Sequence, residues 1–211
     1  MFKAKKTISP KARPPMALPP AAPERQLSHH RCIDVQVYAR GNGLWEVDAR
    51  ITDTKTRDAH LAAGVRAAGL PIHDMQLRLV VDERFNIVES GAQTHWMPYP
   101  GRCDDHGDAY AKLVGLNLMR GFRQAVRERL GGTLGCTHIT EMTQLLPTAV
   151  IQAFAGSVID TRGDGDTSPQ PFQIDRCHAL RSDGDVVREH YPRWYRAETK
   201  AEPLPASPTG A

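Results

Sequence analysis

The sequence predicts an α+β domain, in which an antiparallel β-sheet is packed on one side by two or three helices. Two kinds of pattern support this prediction. Between residues 30 and 95, apolar and polar residues alternate in four stretches separated by turn residues, which is typical of half-buried strands. After residue 109, apolar residues recur every three or four positions, as in amphipathic helices. Hydrophobic residues make up 40% of the 211, which is enough to bury a core.

Four strands are predicted in the first half of the chain. The tripeptide Gly41-Asn42-Gly43 favours a hairpin turn between the first two, because glycine and asparagine adopt positive φ at little cost. Residues 53–70 are polar and rich in alanine, and we interpret them as a loop or a short helix that ends at Pro71. The predicted strands cover residues 33–40, 44–52, 75–81 and 87–95.

Two helices and a final pair of strands are predicted in the second half. The first helix is expected to run without a break over residues 110–130. The second covers residues 139–154, with Thr137 as its cap and a kink at Pro147. The last two strands are predicted over residues 172–180 and 186–191.

Positive charge and proline are concentrated at the N-terminus. Residues 1–28 carry six basic side chains and one acidic side chain, a sum of +5, whereas the whole chain has a net charge of +3. We interpret residues 1–28 as a disordered tail, residues 29–195 as a single α+β domain and residues 196–211 as a second disordered tail. The remaining body is slightly acidic, which argues against nucleic-acid binding.

The location of the protein follows from two further features. No apolar run approaches the roughly 20 residues that a helix needs to cross a bilayer. The lysines near the N-terminus are followed by prolines and not by the apolar region of a signal peptide. We therefore expect no membrane interaction and a cytoplasmic location. In that reducing compartment, the four cysteines are expected to be thiols, metal ligands or redox groups.

Cysteines and histidines form four short groups that are candidates for chemistry. The groups are His73-Asp74, Cys103 with the nearby His106, Cys136-Thr137-His138, and Cys177-His178. A cysteine at the start of a helix lies near unpaired backbone N–H groups, which favour the thiolate. Two thiolates and one or two imidazoles suit zinc or one edge of an iron–sulfur cluster. The predicted metal ligands are His73, Cys103, Cys136 and His138, with Cys177 or His178 as alternatives and Asp74 as a labile or supporting ligand.

Two other functions fit the same residues. Cys136 with His138 or His73 as its base would serve a thiol-dependent enzyme. A metal-free module could instead bind an unidentified protein partner through the hairpin and the basic tail. The sequence contains no GxSxG, P-loop or dinucleotide motif, so it indicates no particular reaction or substrate.

Several motifs resemble an uncharacterised bacterial family, a domain of unknown function. They are Gly43-Leu44-Trp45, Thr52-Asp53-Thr54-Lys55, His73-Asp74-Met75, Gly135-Cys136-Thr137-His138 and Asp175-Arg176-Cys177-His178-Ala179. The resemblance covers residues 30–195 and implies a single domain without an established activity.

The order of strands, cysteines and helices also resembles the iron–sulfur scaffolds of the NifU/IscU type. In that family a cysteine followed by an aspartate, a second cysteine after the last strand and a third at the start of the final helix bind zinc or a nascent cluster. The resemblance implies that Asp74, Cys103 and Cys136 occupy three of these positions. His73 or Ile72 stands where the first cysteine belongs, and the helix before Cys136 is expected to be continuous. These departures imply a fixed metal site more than cluster assembly.

Overall fold

The computed structural model describes residues 18–163, residue 165 and residues 168–197. The strands are β1 (His29–Ala39), β2 (Leu44–Lys55), β3 (Ala59–Leu61), β4 (Gly64–Arg66), β5 (Pro71–Asp82) and β6 (Ile87–Trp96). The helices are α1 (Phe122–Leu130), α2 (Thr137–Thr143), α3 (Leu146–Phe154) and α4 (Asp185–His190), with short 3₁₀ segments at Gly107–Leu113, Gly132–Leu134, His178–Leu180 and Pro192–Trp194. Most of the two predicted tails lies outside the described residues. Within the described part of the chain, every helix is too short or too polar to cross a membrane.

Four strands form one antiparallel sheet in the order β1-β2-β5-β6. The predicted hairpin between β1 and β2 is present, and both glycines of its turn have positive φ, 80° at Gly41 and 74° at Gly43. In the pairing of β2 with β5, Val47 lies opposite Leu79 and Ile51 lies opposite Met75. The predicted four-stranded antiparallel sheet is therefore confirmed.

The connection between β2 and β5 is a second small hairpin. β3 and β4 pair with each other and form a separate two-stranded sheet. The interpretation of residues 53–70 as a loop or a short helix is therefore wrong. β2 continues to Lys55, residues 62–63 form the turn between the two short strands, and Gly64, the first residue of β4, has a φ of 133°.

The apolar face of the sheet is covered by helices. Side chains on the inner face of β2 and β5 form the centre of the core: Val47, Ala49, Ile51, Met75, Leu77, Leu79 and Val81. The helices add Phe122 and Val126 from α1, Ile139 and Met142 from α2, and Val150 and Phe154 from α3. The opposite face carries pairs of charged residues, such as Arg78 with Asp48. This arrangement confirms an α+β fold with helices on one side of the sheet.

The predicted continuous helix over residues 110–130 is wrong. A 3₁₀ segment ends at Leu113, and α1 begins only at Phe122. Between them, Gly115 and Gly121 have positive φ, 82° and 63°, which a helix cannot accommodate. The chain pairs here with the start of β6, since Gly115 N donates to Ile87 O at 2.9 Å and Ile87 N donates to Leu116 O at 2.9 Å. These tertiary hydrogen bonds outweigh the helical pattern.

The predicted second helix consists of two helices. α2 ends at Thr143, α3 begins at Leu146, and Pro147 lies in the first turn of α3, where its missing N–H is not needed. The predicted interruption is real, although it falls before the proline. Thr137 is the first helical residue and not the cap; Cys136 occupies the cap position without a side-chain hydrogen bond.

The predicted strands over residues 172–180 and 186–191 are also wrong. Asp175 has a φ of 61°, which interrupts an extended run. The second segment forms α4, with Asp185 in the first turn paired to Arg188 at 2.7 Å. Its alternating apolar residues bury a single side chain, Val187.

Candidate metal centre

A row of polar residues crosses the inner face of the sheet at one end. Arg31 of β1 lies opposite Asp53 of β2, and Asp53 lies opposite His73 of β5. Successive side chains of a strand point to opposite faces, so these three share the face of the core residues two positions away. The next row inward contains Ile51 and Met75. The polar row is therefore the last row of the helix-covered face.

Asp53 is the centre of this row. Its carboxylate accepts two hydrogen bonds from Arg31, from Nε to Oδ1 at 2.8 Å and from Nη2 to Oδ2 at 2.9 Å. His73 Nδ1 donates to Oδ2 at 3.0 Å, and His29 Nε2 lies 3.1 Å from Oδ1. Burial alone would raise the pKa of Asp53, but the hydrogen bonds from Arg31 and His73 outweigh it and the pKa is lowered. Asp53 is therefore a carboxylate at neutral pH.

Helix α2 covers the row with two side chains one turn apart. The His138 ring stacks on the His73 ring, with 3.8 Å between centroids and 33° between planes. Glu141 accepts a hydrogen bond from Arg31 Nη1 at 2.9 Å. Residues three apart on a helix lie on the same side, so both side chains reach the sheet from the same face of α2.

The two stacked histidines are neutral at pH 7. Burial is the main cause that lowers the pKa of His73, and the Asp53 carboxylate opposes it only in part. Burial also lowers the pKa of His138, and the nearby Arg31 and His73 oppose a positive charge there as well. A neutral imidazole has a free lone pair, as a metal ligand must.

Asp53, His73 and His138 form a candidate set of metal ligands. One donor atom from each lies within 4.8 Å of the donors of the other two. Two imidazoles and one carboxylate suit zinc or iron(II) and leave coordination positions open. The geometry thus allows a single ion to be held by side chains from β2, β5 and α2.

Cys136 lies beside this group at the start of α2. Its Sγ is 4.0 Å from His138 Nδ1. The backbone here is held by the buried Tyr110, whose hydroxyl donates to Cys136 O at 2.8 Å and contacts Thr140 Oγ1 at 3.0 Å. Gly135 allows this close approach, since a Cβ there would lie 3.1 Å from Leu130 O and 3.2 Å from the Tyr110 hydroxyl.

Only some of the predicted ligands lie in or beside the Asp53–His73–His138 group. His73 and His138 lie in the group, and Cys136 is adjacent to it. Among the described residues, no group of three ligand-type side chains includes Cys103, Cys177 or His178. Cys103 lies in a turn after β6, where its N–H donates to Tyr99 O at 2.9 Å. The roles of Cys103, Cys177 and His178 as ligands stay predictions, and the Asp53–His73–His138 group does not support them.

The expected role of Asp74 is corrected by the structure. As the neighbour of His73 on β5, it faces the opposite side of the sheet. There it accepts hydrogen bonds from Arg50 Nε at 2.8 Å and Nη2 at 2.6 Å. A carboxylate on this face neither binds an ion held by His73 nor supports its ligands.

Sequence reasoning missed Asp53 and Arg31, although a signal was present. The inward alternation of β2 runs through apolar residues and ends on a charge at Asp53. The alternations of β1 and β5 likewise continue to Arg31 and His73. Polar residues at inward positions of three adjacent strands indicate a shared polar site.

Fold and site together define an α+β domain with a candidate metal centre at one end of its sheet. Residues 29–152 match the family described as protein of unknown function (DUF2889), and the chain belongs to this family. The matched segment includes the whole polar row together with Cys136, His138 and Glu141. Neither a curated protein nor a solved structure matches the chain. The predicted family is thus confirmed, whereas the likeness to NifU/IscU-type scaffolds receives no support from known structures.

Proposed function

We propose that this protein binds a single zinc or iron(II) ion through Asp53, His73 and His138. The observation that carries the proposal is the convergence of their three donor atoms within 4.8 Å. The residues come from β2, β5 and α2, which are far apart in sequence, so their convergence depends on the fold. The group contains no thiolate, which favours a single ion over an iron–sulfur cluster.

The protonation states of the three ligands support this proposal. A metal ion displaces protons from its ligands, so binding is weakened by every ligand that must first lose one. Asp53 has a lowered pKa, and burial lowers the pKa of both histidines. At pH 7 the site therefore offers one anionic and two neutral donors, and none of them must lose a proton before it binds the ion.

The contacts around the ligands also fit a metal site. Arg31 holds the Asp53 carboxylate with two hydrogen bonds and is itself held by Glu141. Such supporting contacts orient the ligands of metal centres, and their loss typically weakens metal affinity by about 10- to 100-fold. Three protein ligands leave room for water or a substrate, as in catalytic metal sites.

Metal analysis with matched variants tests the proposal. Protein purified without chelator should contain about one equivalent of zinc or iron, and His138→Asn should contain less than about a tenth of an equivalent. His95→Asn is the control, because His95 is an exposed strand residue that contacts Gln76 outside the group. Wild-type protein with under about a tenth of an equivalent at micromolar concentration would contradict tight binding and favour a metal-free partner-binding module.

A thiol-dependent enzyme is the second candidate function. The supporting observation is the 4.0 Å distance between Cys136 Sγ and His138 Nδ1, which allows the imidazole to accept the thiol proton. His138 in turn stacks on His73, which Asp53 orients. Rapid and selective alkylation of Cys136 at neutral pH, lost in His138→Asn, would support it; labelling no faster than that of the exposed Cys32 would contradict it.

We also propose a distant likeness to NifU/IscU-type scaffolds and a cytoplasmic location for the protein. Cys136 directly precedes a helix, as the third cysteine does in NifU/IscU-type scaffolds, and this position supports the likeness. Asp74 on the opposite face weighs against it. All four cysteines are free thiols, which is consistent with a reducing cytoplasm.

A further inference from the structure

Two sulfur atoms lie together beside the Asp53–His73–His138 group. Cys136 Sγ is 3.6 Å from Met75 Sδ and 4.0 Å from His138 Nδ1. Met75 is 1% exposed and lies on β5 two residues after His73, on the same face of the sheet. The Cys136 thiol therefore lies next to both a thioether sulfur from a strand and an imidazole nitrogen from the first turn of α2.

We propose that Cys136, Met75 and His138 form a binding site for monovalent copper, Cu(I). Thiolate and thioether are soft ligands that select Cu(I), and imidazole also suits copper. For metal–ligand bonds of about 2.0–2.3 Å, donor atoms around one ion lie roughly 3.5–4 Å apart. The two observed separations, 3.6 and 4.0 Å, agree with that spacing. The site needs neither Asp53 nor His73, so it goes beyond the divalent site.

The surroundings of the two sulfurs favour a monovalent ion. Met75 lies opposite Ile51 and belongs to the buried core, together with Ile139 of α2. A Cu(I) ion bound to one thiolate has no net charge, whereas a divalent ion there would bury an unbalanced charge. The carboxylate and the guanidinium lie instead on the Asp53 side. His138 thus lies between two sides of the site. One side is apolar and offers the soft sulfur ligands of Met75 and Cys136, and the other is charged and contains Asp53 and Arg31.

Competition with a chromophoric Cu(I) chelator tests this site. The measurement uses the full chain without oxygen, in a Cys32→Ser, Cys103→Ser and Cys177→Ser background that leaves Cys136 as the only thiol. One equivalent of Cu(I) should bind. Met75→Leu keeps an apolar side chain of similar volume but removes the sulfur, and it should weaken Cu(I) binding by roughly tenfold or more. Zinc affinity should stay unchanged in that variant.

The outcomes for the two sites are distinguishable. Asp53→Asn should lose zinc and keep Cu(I), so failure of the divalent site leaves this proposal standing. Cu(I) affinity that is equal in Met75→Leu and in the background protein would overturn it. A measurement independent of substitution uses protein labelled with selenomethionine, in which X-ray absorption at the copper edge should show a copper–selenium path. Absence of that path would equally overturn the site.

Discussion

Arg31 and Asp53 form a two-bond pair across β1 and β2, with the guanidinium partly exposed and the carboxylate 2% exposed. The buried partner is therefore the Asp53 carboxylate, and Arg31 supplies most of the positive charge that balances it. The third nitrogen of Arg31 reaches Glu141 on α2. One side chain thus connects the edge strand, the central carboxylate and the helix that carries His138.

Removal of this arginine should leave a buried charge without its main partner. Arg31→Gln is expected to lower the free energy of unfolding by about 2 kcal/mol, since a hydrogen bond to a charged group contributes about 1.5–3 kcal/mol. Urea unfolding measures this loss. Part of it should be recovered by adding Asp53→Asn, because the double variant no longer buries a charge.

Arg78→Gln is the matched control. Arg78 makes the same two-bond contact with Asp48, at 2.6 Å for each bond, but this pair is exposed on the other face. Its loss should cost less than about 1 kcal/mol. Equal losses in the two variants would show that burial of Asp53 has no energetic consequence.

Acid should destabilise the protein in two steps. Burial lowers the pKa of His73 and His138 below the usual 6.5. Above that pH they contribute no pH dependence, but below it the unfolded chain takes up protons that the folded chain does not, so stability falls. Asp53 has a lowered pKa, and its contribution is lost as the pH falls below the usual 3.8 of an aspartate.

Urea unfolding between about pH 7.5 and pH 5.5, with a chelator present, measures the first step. A His73→Asn, His138→Asn double variant should lose less stability over this interval than the wild type. The prediction fails if the two proteins show the same pH dependence.

Gly135 should be intolerant of a side chain for steric reasons. Its φ of −159° is open to any residue, but a Cβ would lie 3.1 Å from Leu130 O. Gly135→Ala is therefore expected to cost about 1 kcal/mol and to weaken metal binding by displacing the start of α2. Gly91→Ala is the control, because a Cβ there meets no atom within 4 Å. Thermal unfolding should show a loss only for Gly135→Ala, and a similar loss at both positions would refute the steric explanation.

Tyr110 should stabilise the same segment through its hydroxyl. Burial raises its pKa to about 12, so the hydroxyl remains a donor to Cys136 O under ordinary conditions. Tyr110→Phe removes this hydrogen bond, whereas Cys136 O keeps the one from Thr140 N at 2.9 Å, so the variant should cost about 1 kcal/mol in the free energy of unfolding. Tyr99→Phe, at a 49% exposed position, should change stability by less than about 0.5 kcal/mol. If Tyr110→Phe leaves the free energy of unfolding unchanged, another donor has replaced the hydroxyl.

The sheet was predictable because its signal is local. Alternation and the Gly41-Asn42-Gly43 turn indicate both the strands and the inward face of β2 and β5. The same alternation marks Asp53 as inward, but a polar residue near a strand end was interpreted as the start of a loop. That assumption concealed the central carboxylate of the site.

The helical half was less predictable because tertiary contacts decide it. Apolar spacing favours helix through residues 114–121, yet the pairing of Gly115 and Leu116 with Ile87 of β6 prevents it. The docking of α2 over β5 brings His138 onto His73, 65 positions earlier in the chain. No local pattern encodes such a contact, so the pairing of these histidines could only be proposed.

The span from Arg31 to Glu141 also bears on how the protein matures. During synthesis, the strands that carry Asp53 and His73 leave the ribosome well before α2, so His138 and Glu141 join the row only after most of the domain has been made. The complete donor set therefore forms late, when the helix docks. An ion that needs all three donors would be acquired by the finished domain and released when α2 detaches.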